Sequence, residues 1–395
     1  MRNDRVARST GPVPRKMKVL LGEPVIEEED IDAVSEALRT RWIGTGPRVR
    51  EFEEQFSALK GGVPTAAVSS GTAALHLALV AAGVGPGDEV ITTPLTFCAT
   101  VNAVLFVGAQ PVLADVEPRS MNIDPRRIGP LVTSSTRAII AVHFAGRPCD
   151  MAAIMSVADE HDLVVIEDCA HAIEASIEGR PTGTFGHFGC FSFYPSKNMT
   201  TGEGGMVTAR NPGDADAVRR LSNHGQSKGA WERVGESSFG QYEVTALGFK
   251  YNLTDMGASL GLSQMRRLER WLDRRAEIWS RYSSAMGDLP LQLPAGPDPG
   301  TVHARHLFTV LVDSASAGIG REEFVRRMTS QGVGTGIHYT TIPDHPYYRD
   351  RFGWDSRDWP SAKYIGDRTV SLPLSPGLGD DQVDFVIESV RKALG

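Results

Sequence analysis

Leu163-Val164-Val165-Ile166-Glu167-Asp168 decides the fold. Four branched apolar residues in a row suit a strand buried on both faces, and the two carboxylates mark its carboxyl end. Just before it, Met151 to His161 has a helical pattern. Further towards the N-terminus, Arg137 to His143 is a second β-branched, apolar run, and Gln110 to Val116 a third strand. Phe97 to Val107 reads as a helix and Glu89 to Thr93 as a strand. Gly83, Gly85, Pro86 and Gly87 make a turn, Ala73 to Ala82 a helix, and Thr65 to Val68 a short strand ending in Ser69-Ser70-Gly71-Thr72. Strand and helix alternate throughout, so the class is α/β: a mostly parallel sheet covered by helices on both faces. In such sheets ligands bind at the carboxyl ends of the strands.

A second region begins near Thr254. Met265, Leu268, Leu272, Ala276 and Trp279 recur every three or four residues and predict one apolar helical stripe, suited to a helix that bridges two domains. A Pro/Gly-rich stretch, Leu289 to Gly300, follows; then come a strand (His306 to Val312) and a helix (Arg321 to Gln331). The expected organisation is a disordered basic tail over residues 1–16, a large domain over 17–265 and a small C-terminal α/β domain over 266–395.

The 395 residues are enough for a large core. A net charge of −7 argues against a general nucleic-acid or anionic-membrane binder, so only local basic clusters can meet an anion. Cys98, Cys149, Cys169 and Cys190 have neither metal-ligand nor CxxC spacing, which excludes a zinc ribbon or thioredoxin motif and predicts no bound metal. So few cysteines in so long a chain fit a reducing cytoplasm. No apolar stretch reaches the roughly 18 residues of a membrane span, and the first 16 residues lack the apolar segment of a signal peptide.

Four features carry chemistry. Ser69-Ser70-Gly71-Thr72-Ala73 lies between a strand and a helix, where small residues leave N–H groups open to a phosphate. Alone, Thr72 also reads as an N-cap. Asp168 closes a buried strand and needs a partner: a capping or salt-bridge contact, or a protonated ring nitrogen. Lys197 follows the aromatic run Phe191-Ser192-Phe193-Tyr194-Pro195-Ser196 and precedes Gly202-Glu203-Gly204-Gly205. A surface lysine snorkels, but a desolvated one is a nucleophile that can form a Schiff base with an aldehyde cofactor. Phe97, after Thr92-Thr93-Pro94-Leu95-Thr96, is either a core residue or a platform for a flat ring. An anion cradle, an aromatic, a strand-end carboxylate and a loop lysine are together what pyridoxal 5′-phosphate (PLP) requires.

In Gly71-Thr72-Ala73-Ala74-Leu75, Glu167-Asp168-Cys169-Ala170-His171 and Cys190-Phe191-Ser192-Phe193-Tyr194-Pro195-Ser196-Lys197-Asn198, running into Thr201-Gly202-Glu203-Gly204-Gly205, the sequence resembles the DegT/StrS-type PLP-dependent nucleotide-sugar aminotransferases. The resemblance runs from about Lys18 over nearly the whole chain. It implies the type I (aspartate aminotransferase-like) fold, with PLP on the large domain and pyridoxamine 5′-phosphate (PMP) formed during turnover. By the same resemblance Lys197 is the Schiff-base lysine and proton carrier, and Asp168 the partner of the ring nitrogen. Ser192, Gly71, Thr72 and Ala73 match the phosphate site, and Phe97 the ring-stacking aromatic. His171 stands near the cofactor's phenolic oxygen, where many members have Gln. Asn252 matches an Asn that reaches the phosphate of the neighbouring subunit, which implies a homodimer with shared active sites.

The implied substrates are L-glutamate and a nucleotide-diphosphate keto-sugar, whose pyrophosphate needs local cations. Arg41, Arg48, Arg50, Lys228 and Lys250 are candidates. Trp42 and Thr45 lie in a loop like the family's substrate-facing segment, and His338 and Tyr339 in one like its closing segment; a hydrogen-bonded structural role also suits His338. The Trp42 loop, Lys250-Tyr251-Asn252 and Tyr347 to Phe352 are most similar to the branch that aminates 4-keto sugars, including the UDP-4-keto-pentose enzyme of 4-amino-4-deoxy-L-arabinose synthesis. A longer stretch between Ser227 and Leu247 departs from that branch. Rival readings are a keto-cyclitol aminotransferase, a PLP sugar dehydratase (a class that replaces the lysine), a non-catalytic PLP-binding regulator and a nicotinamide dehydrogenase. Gly83-Val84-Gly85-Pro86-Gly87 and Gly332-Val333-Gly334-Thr335-Gly336 lack the spacing the last would need.

Overall fold

The computed structural model describes residues 18–227 and 242–395. The expected basic tail, residues 1–16, and the substrate candidate Lys228 lie outside the described residues. Seven strands build the central sheet: β1 (Thr65–Val68), β2 (Glu89–Thr92), β3 (Gln110–Leu113), β4 (Thr136–Val142), β5 (Val164–Asp168), β6 (Phe188–Ser192) and β7 (Gly205–Ala209). Their order is β1-β7-β6-β5-β4-β2-β3. Only β7 runs against the rest, antiparallel to both β1 and β6. The sequence reading finds β1 to β5 but not β6 and β7. No helix separates those two, and each contains a glycine, so neither shows the helix-flanked apolar run that marks β4 and β5.

Side-chain alternation along the strands explains the two buried faces. Ala138, Ile140 and Ile166 pack against α3 (Gly71–Ala81), α4 (Cys98–Phe106) and α6 (Pro212–Leu221), in a core with Leu77, Val104 and Val218. Ile139, Ala141 and Val165 point the other way, onto α5 (Met151–Glu160). On the same side Phe52 and Phe56 of α2 (Pro47–Leu59) meet Phe191, Phe193 and α7 (Asp255–Met265). Helix α1 (Glu28–Thr40) lies on α7.

The expected apolar stripe is corrected. The helix breaks at Arg266 and Arg267, and α8 (Leu268–Met286) buries Leu268, Trp271, Arg275, Ile278, Trp279, Tyr282 and Met286 rather than Leu272 and Ala276. An arginine holds the buried face because Arg275 pairs with the buried carboxylate of Glu174. A stripe counted from apolar residues alone slips past it. Helix α8 carries the C-terminal region: β8 (Phe308–Leu311) pairs antiparallel with β9 (Thr369–Leu372), backed by α9 (Arg321–Gln331) and α11 (Asp380–Leu394), with α10 (Pro360–Arg368) just before β9. Val19 belongs to this core, and the Lys18 N–H donates to the Gly332 carbonyl at 2.8 Å. The first described residues of the expected 17–265 unit therefore pack with the C-terminal region. Among the described residues, no helix is long and apolar enough to cross a membrane.

Candidate active site

The carboxyl ends of β1, β5 and β6 bring the first group of predicted residues together. Helix α3 starts at Gly71, and its cap is Ser70, not Thr72: Ser70 Oγ accepts from the Ala73 N–H at 3.0 Å. With the Ala73 donor spent, the Gly71 and Thr72 N–H groups are the ones left for an anion. A Cβ on Gly71 would lie 2.8 Å from Ser192 Cβ, so only glycine lets the helix start approach the end of β6 this closely. The result is a cradle of helix N–H groups and the Ser192 hydroxyl, of the kind a phosphate occupies.

Phe97 is the N-cap residue of α4 and is 57% exposed, so it is not a core residue. Its ring is open to the cleft and faces the Tyr339 ring at 6.1 Å between centroids. Asp168 is buried. Its Oδ2 accepts from Thr100 Oγ1 at 2.9 Å and its Oδ1 from the Ala170 N–H at 3.2 Å. Burial pushes its carboxyl up, against these hydrogen bonds and the charge of Lys197. Lys197 sits in the loop between β6 and β7, which folds back on itself through bonds from the Thr201 and Lys197 N–H groups to the Phe193 and Tyr194 carbonyls. Part of its side chain reaches the surface, but desolvation of the amine lowers its pKa to about 8, an effect Asp168 opposes. A lysine poised there is a nucleophile and proton carrier near neutral pH.

His171 follows β5 and is held in one tautomer. Its Nδ1 accepts from the Ala145 N–H at 3.3 Å, so Nε2 carries the proton and donates to the Tyr339 hydroxyl at 3.1 Å. Burial and the nearby Lys197 charge keep the ring neutral. His338 reaches the same neighbourhood; its Nδ1 lies 2.9 Å from Ser371 Oγ, and burial lowers its pKa to about 4. Two participants escape the sequence reading. Thr100 holds Asp168, and its signal is visible in retrospect, one helical turn beyond Phe97. The His306 ring lies against His171 at 4.3 Å between centroids, tilted by 32°, and bonds Asn198 Oδ1 at 2.9 Å, but nothing in its spacing marks it.

The second group does not join the first. Trp42, Thr45, Lys250 and Asn252 line a separate groove of about 990 Å³, with Arg41, Arg50, Arg219 and Arg220 on its walls. Trp42 Nε1 donates to the Thr45 carbonyl at 3.0 Å, and Asn252 Nδ2 to Thr45 Oγ1 at 2.6 Å. The backbone ties this group to β1, with the Ser69 N–H donating to the Tyr251 carbonyl at 2.6 Å. Arg48, by contrast, pairs with Glu51 at 2.9 Å.

His143, Glu167 and Cys169 bring possible ligand atoms within 4.8 Å of one another. These groups serve the fold instead. Glu167 accepts from His143 Nε2 at 2.9 Å and from the N–H groups of Gly183, Phe185 and Gly186, while His143 Nδ1 in turn accepts from the Cys149 N–H.

The cradle, the open aromatic ring, the buried carboxylate and the desolvated lysine fit PLP. The DegT/DnrJ/EryC1/StrS aminotransferase family profile matches residues 24–391. The spore coat polysaccharide biosynthesis protein SpsC of Bacillus subtilis is 45% identical over 370 residues, 93% of this chain and 95% of that protein. Spr1654 of Streptococcus pneumoniae, a protein assigned as a sugar aminotransferase, superposes in its PMP form with a TM-score of 0.89 at 31% identity, over 95% of this chain and 99% of that one. Its PLP form superposes with a TM-score of 0.87. Helicobacter pylori PseC, an aminotransferase involved in the biosynthesis of pseudoaminic acid, superposes with a TM-score of 0.88 at 26% identity, over 96% of this chain and 99% of that one. A match over residues 24–391, on a chain that folds these groups to the carboxyl ends of its central strands, makes this protein a PLP-dependent enzyme of the DegT/DnrJ/EryC1/StrS aminotransferase family.

Proposed function

We propose that the enzyme moves the amino group of L-glutamate to the keto carbon, C4, of a nucleotide-diphosphate keto-sugar, and works as a cytoplasmic homodimer with shared sites. The observation that carries this reading is the separation of the PLP cleft from the groove of Trp42, Thr45, Lys250 and Asn252. A second copy that sets its groove against the first copy's cleft would join cations to chemistry and bring Asn252 to the other subunit's phosphate. The relatives' roles in spore-coat polysaccharide and pseudoaminic acid synthesis support a sugar acceptor. Residues 17–265 and 266–395 would serve as the two domains, with α8 opening the second and Val19, from the start of the first, packed into its core.

PLP supplies, when bound, an aldehyde carbon that receives the amino group and a ring that takes up electrons as the donor loses its proton. Gly71, Thr72 and Ser192 would hold its phosphate. Phe97 would cover one ring face, and His171, whose two ring nitrogens are taken by the Ala145 N–H and the Tyr339 hydroxyl, would pack beside the phenolic edge. Asp168 would accept from the ring N–H and favour the charged nitrogen. Lys197 Nζ would hold and return the proton lost from the donor's α-carbon, and would serve the acceptor in the reverse sense. His338 and Tyr339 face the sugar. The presence of Lys197 weighs against a dehydratase.

The test is single-half turnover. With L-glutamate, the enzyme should release one equivalent of 2-oxoglutarate per site and lose its visible absorption. A nucleotide-linked 4-keto-sugar should restore the band and acquire a C4 amine, seen by NMR. Restoration only by a 3-keto-sugar would move the position, and restoration only by a keto-cyclitol would replace the acceptor class.

A further inference from the structure

Asp168 sits at the end of a row of hydroxyls. Thr100 Oγ1 lies 2.9 Å from Asp168 Oδ2, and Thr96 Oγ1 lies 2.8 Å from Thr100 Oγ1. Thr96 and Thr100 are both buried, at 2% and 1% exposure. An ionised carboxylate only accepts, so Thr100 must spend its one proton on Asp168. Thr100 can then only accept from its other neighbour, and Thr96 must donate. The row therefore runs one way: Thr96 to Thr100 to Asp168.

We infer that Thr100, backed by Thr96, is a positioning residue that holds the Asp168 carboxylate ionised and aimed at the ring nitrogen of PLP. The inference rests on the reading of Asp168 as that nitrogen's partner. One oxygen takes the Thr100 proton and the other the Ala170 N–H, which fixes the plane of the carboxyl and leaves lone pairs for the ring. The placement is economical. Phe97 caps α4 and Thr100 stands one turn on, its N–H donating to the Phe97 carbonyl at 3.2 Å. A single helix start thus sets both the stacking ring and the donor to the carboxylate. The pull of this row works against burial, which favours the neutral acid. Other groups whose charge Asp168 feels or influences are Lys197, His143, Tyr339, Cys149, Cys169 and Cys190.

The experiment titrates PLP into the apoprotein between pH 5 and 9 and follows the visible band and tryptophan quenching. Wild type is compared with Thr100→Val, Thr100→Ser, Thr96→Val, the double Val variant and Asp168→Asn. Thr100→Val keeps the shape and removes one hydrogen bond to a charged group; it should weaken PLP about tenfold. It should also shift the acidic loss of PLP affinity to higher pH, because a carboxylate short of a donor protonates sooner. Thr100→Ser should restore affinity to within about twofold, since it keeps the hydroxyl. Thr96→Val should cost roughly threefold, and nothing further once Thr100 is Val, because its proton acts only through Thr100. Wild-type affinity and pH dependence in Thr100→Val would overturn the inference, as would a Thr96→Val loss that adds fully in the double variant. If Thr100→Val does not fold, the acid shift of Thr96→Val decides alone. An Asp168→Asn enzyme with unchanged PLP binding and turnover would overturn the underlying reading, whereas a collapsed Asp168→Asn beside a normal Thr100→Val would overturn only the inference.

Discussion

In the cleft around Lys197, the polar groups are tied down: Asp168 has two donors, His171 a single tautomer, and Asn198 bonds to Glu174, Ala304 and His306. In the groove of Trp42, the cations Arg41 and Lys250 are exposed. The first arrangement suits chemistry, because groups fixed before the reaction need no reorganisation as charge develops. The second suits capture of an anion, because exposed charges attract at a distance and tolerate different ligands. The two regions should therefore respond to different perturbations.

The largest contrast is expected from Lys197→Ala. Turnover of L-glutamate should fall on the order of 10⁴-fold. Calorimetry should find keto-sugar binding within about twofold of wild type, because no groove residue has changed. Normal turnover would end the assignment of Lys197, and lost sugar binding would merge the two regions into one. A smaller effect follows from the lowered amine pKa. The neutral amine is the nucleophile, so PLP capture by the apoprotein should rise as pH increases and level off above about 8. Stopped-flow absorbance should record a gain of roughly fifty-fold between pH 6 and 8; a plateau near pH 10 would mean that the lysine is not desolvated.

Gly71→Ala sharpens the cradle. The new Cβ would press on Ser192 at 2.8 Å. Overpacking of about 1–3 kcal/mol should lower thermal stability, and PLP affinity should drop about tenfold with it. The smallest effect belongs to the groove. Lys250→Ala should raise the KM for the keto-sugar about threefold, leave the glutamate half-reaction unchanged, and lose most of its effect in high salt. An equal loss in both half-reactions would place Lys250 among the chemical groups.

The parts legible in the sequence are those with a local signature. β2, β4 and β5 show as apolar runs because both their faces are buried, and α9 appears at its expected bounds, Arg321–Gln331. Asp168 and Phe97 stand at element ends and Lys197 in the loop between β6 and β7, and such places are where punctuation shows. What could not be read depends on distant partners. The buried face of α8 turns on an ion pair between Arg275 and Glu174, about a hundred residues apart. The cap of α3 falls to Ser70 rather than Thr72, a choice between neighbouring hydroxyls that backbone geometry makes. His306 meets His171 only through the return of the chain from the C-terminal region. The split between cleft and groove is likewise a property of folding in space, not of spacing along the chain.

Strand β7 has a consequence beyond the sheet. Had the segment after β6 entered the sheet parallel to it, the chain would have had to cross to the opposite edge before re-entering, and the connecting residues would have left the site. Because β7 runs the other way, the connection is a return at the same edge. Lys197 is carried on that return, where it feels the charge of the carboxylate at the end of the neighbouring strand, β5. A reversal of one strand's direction thus does the work of delivery, and no feature of the lysine itself would have brought it there.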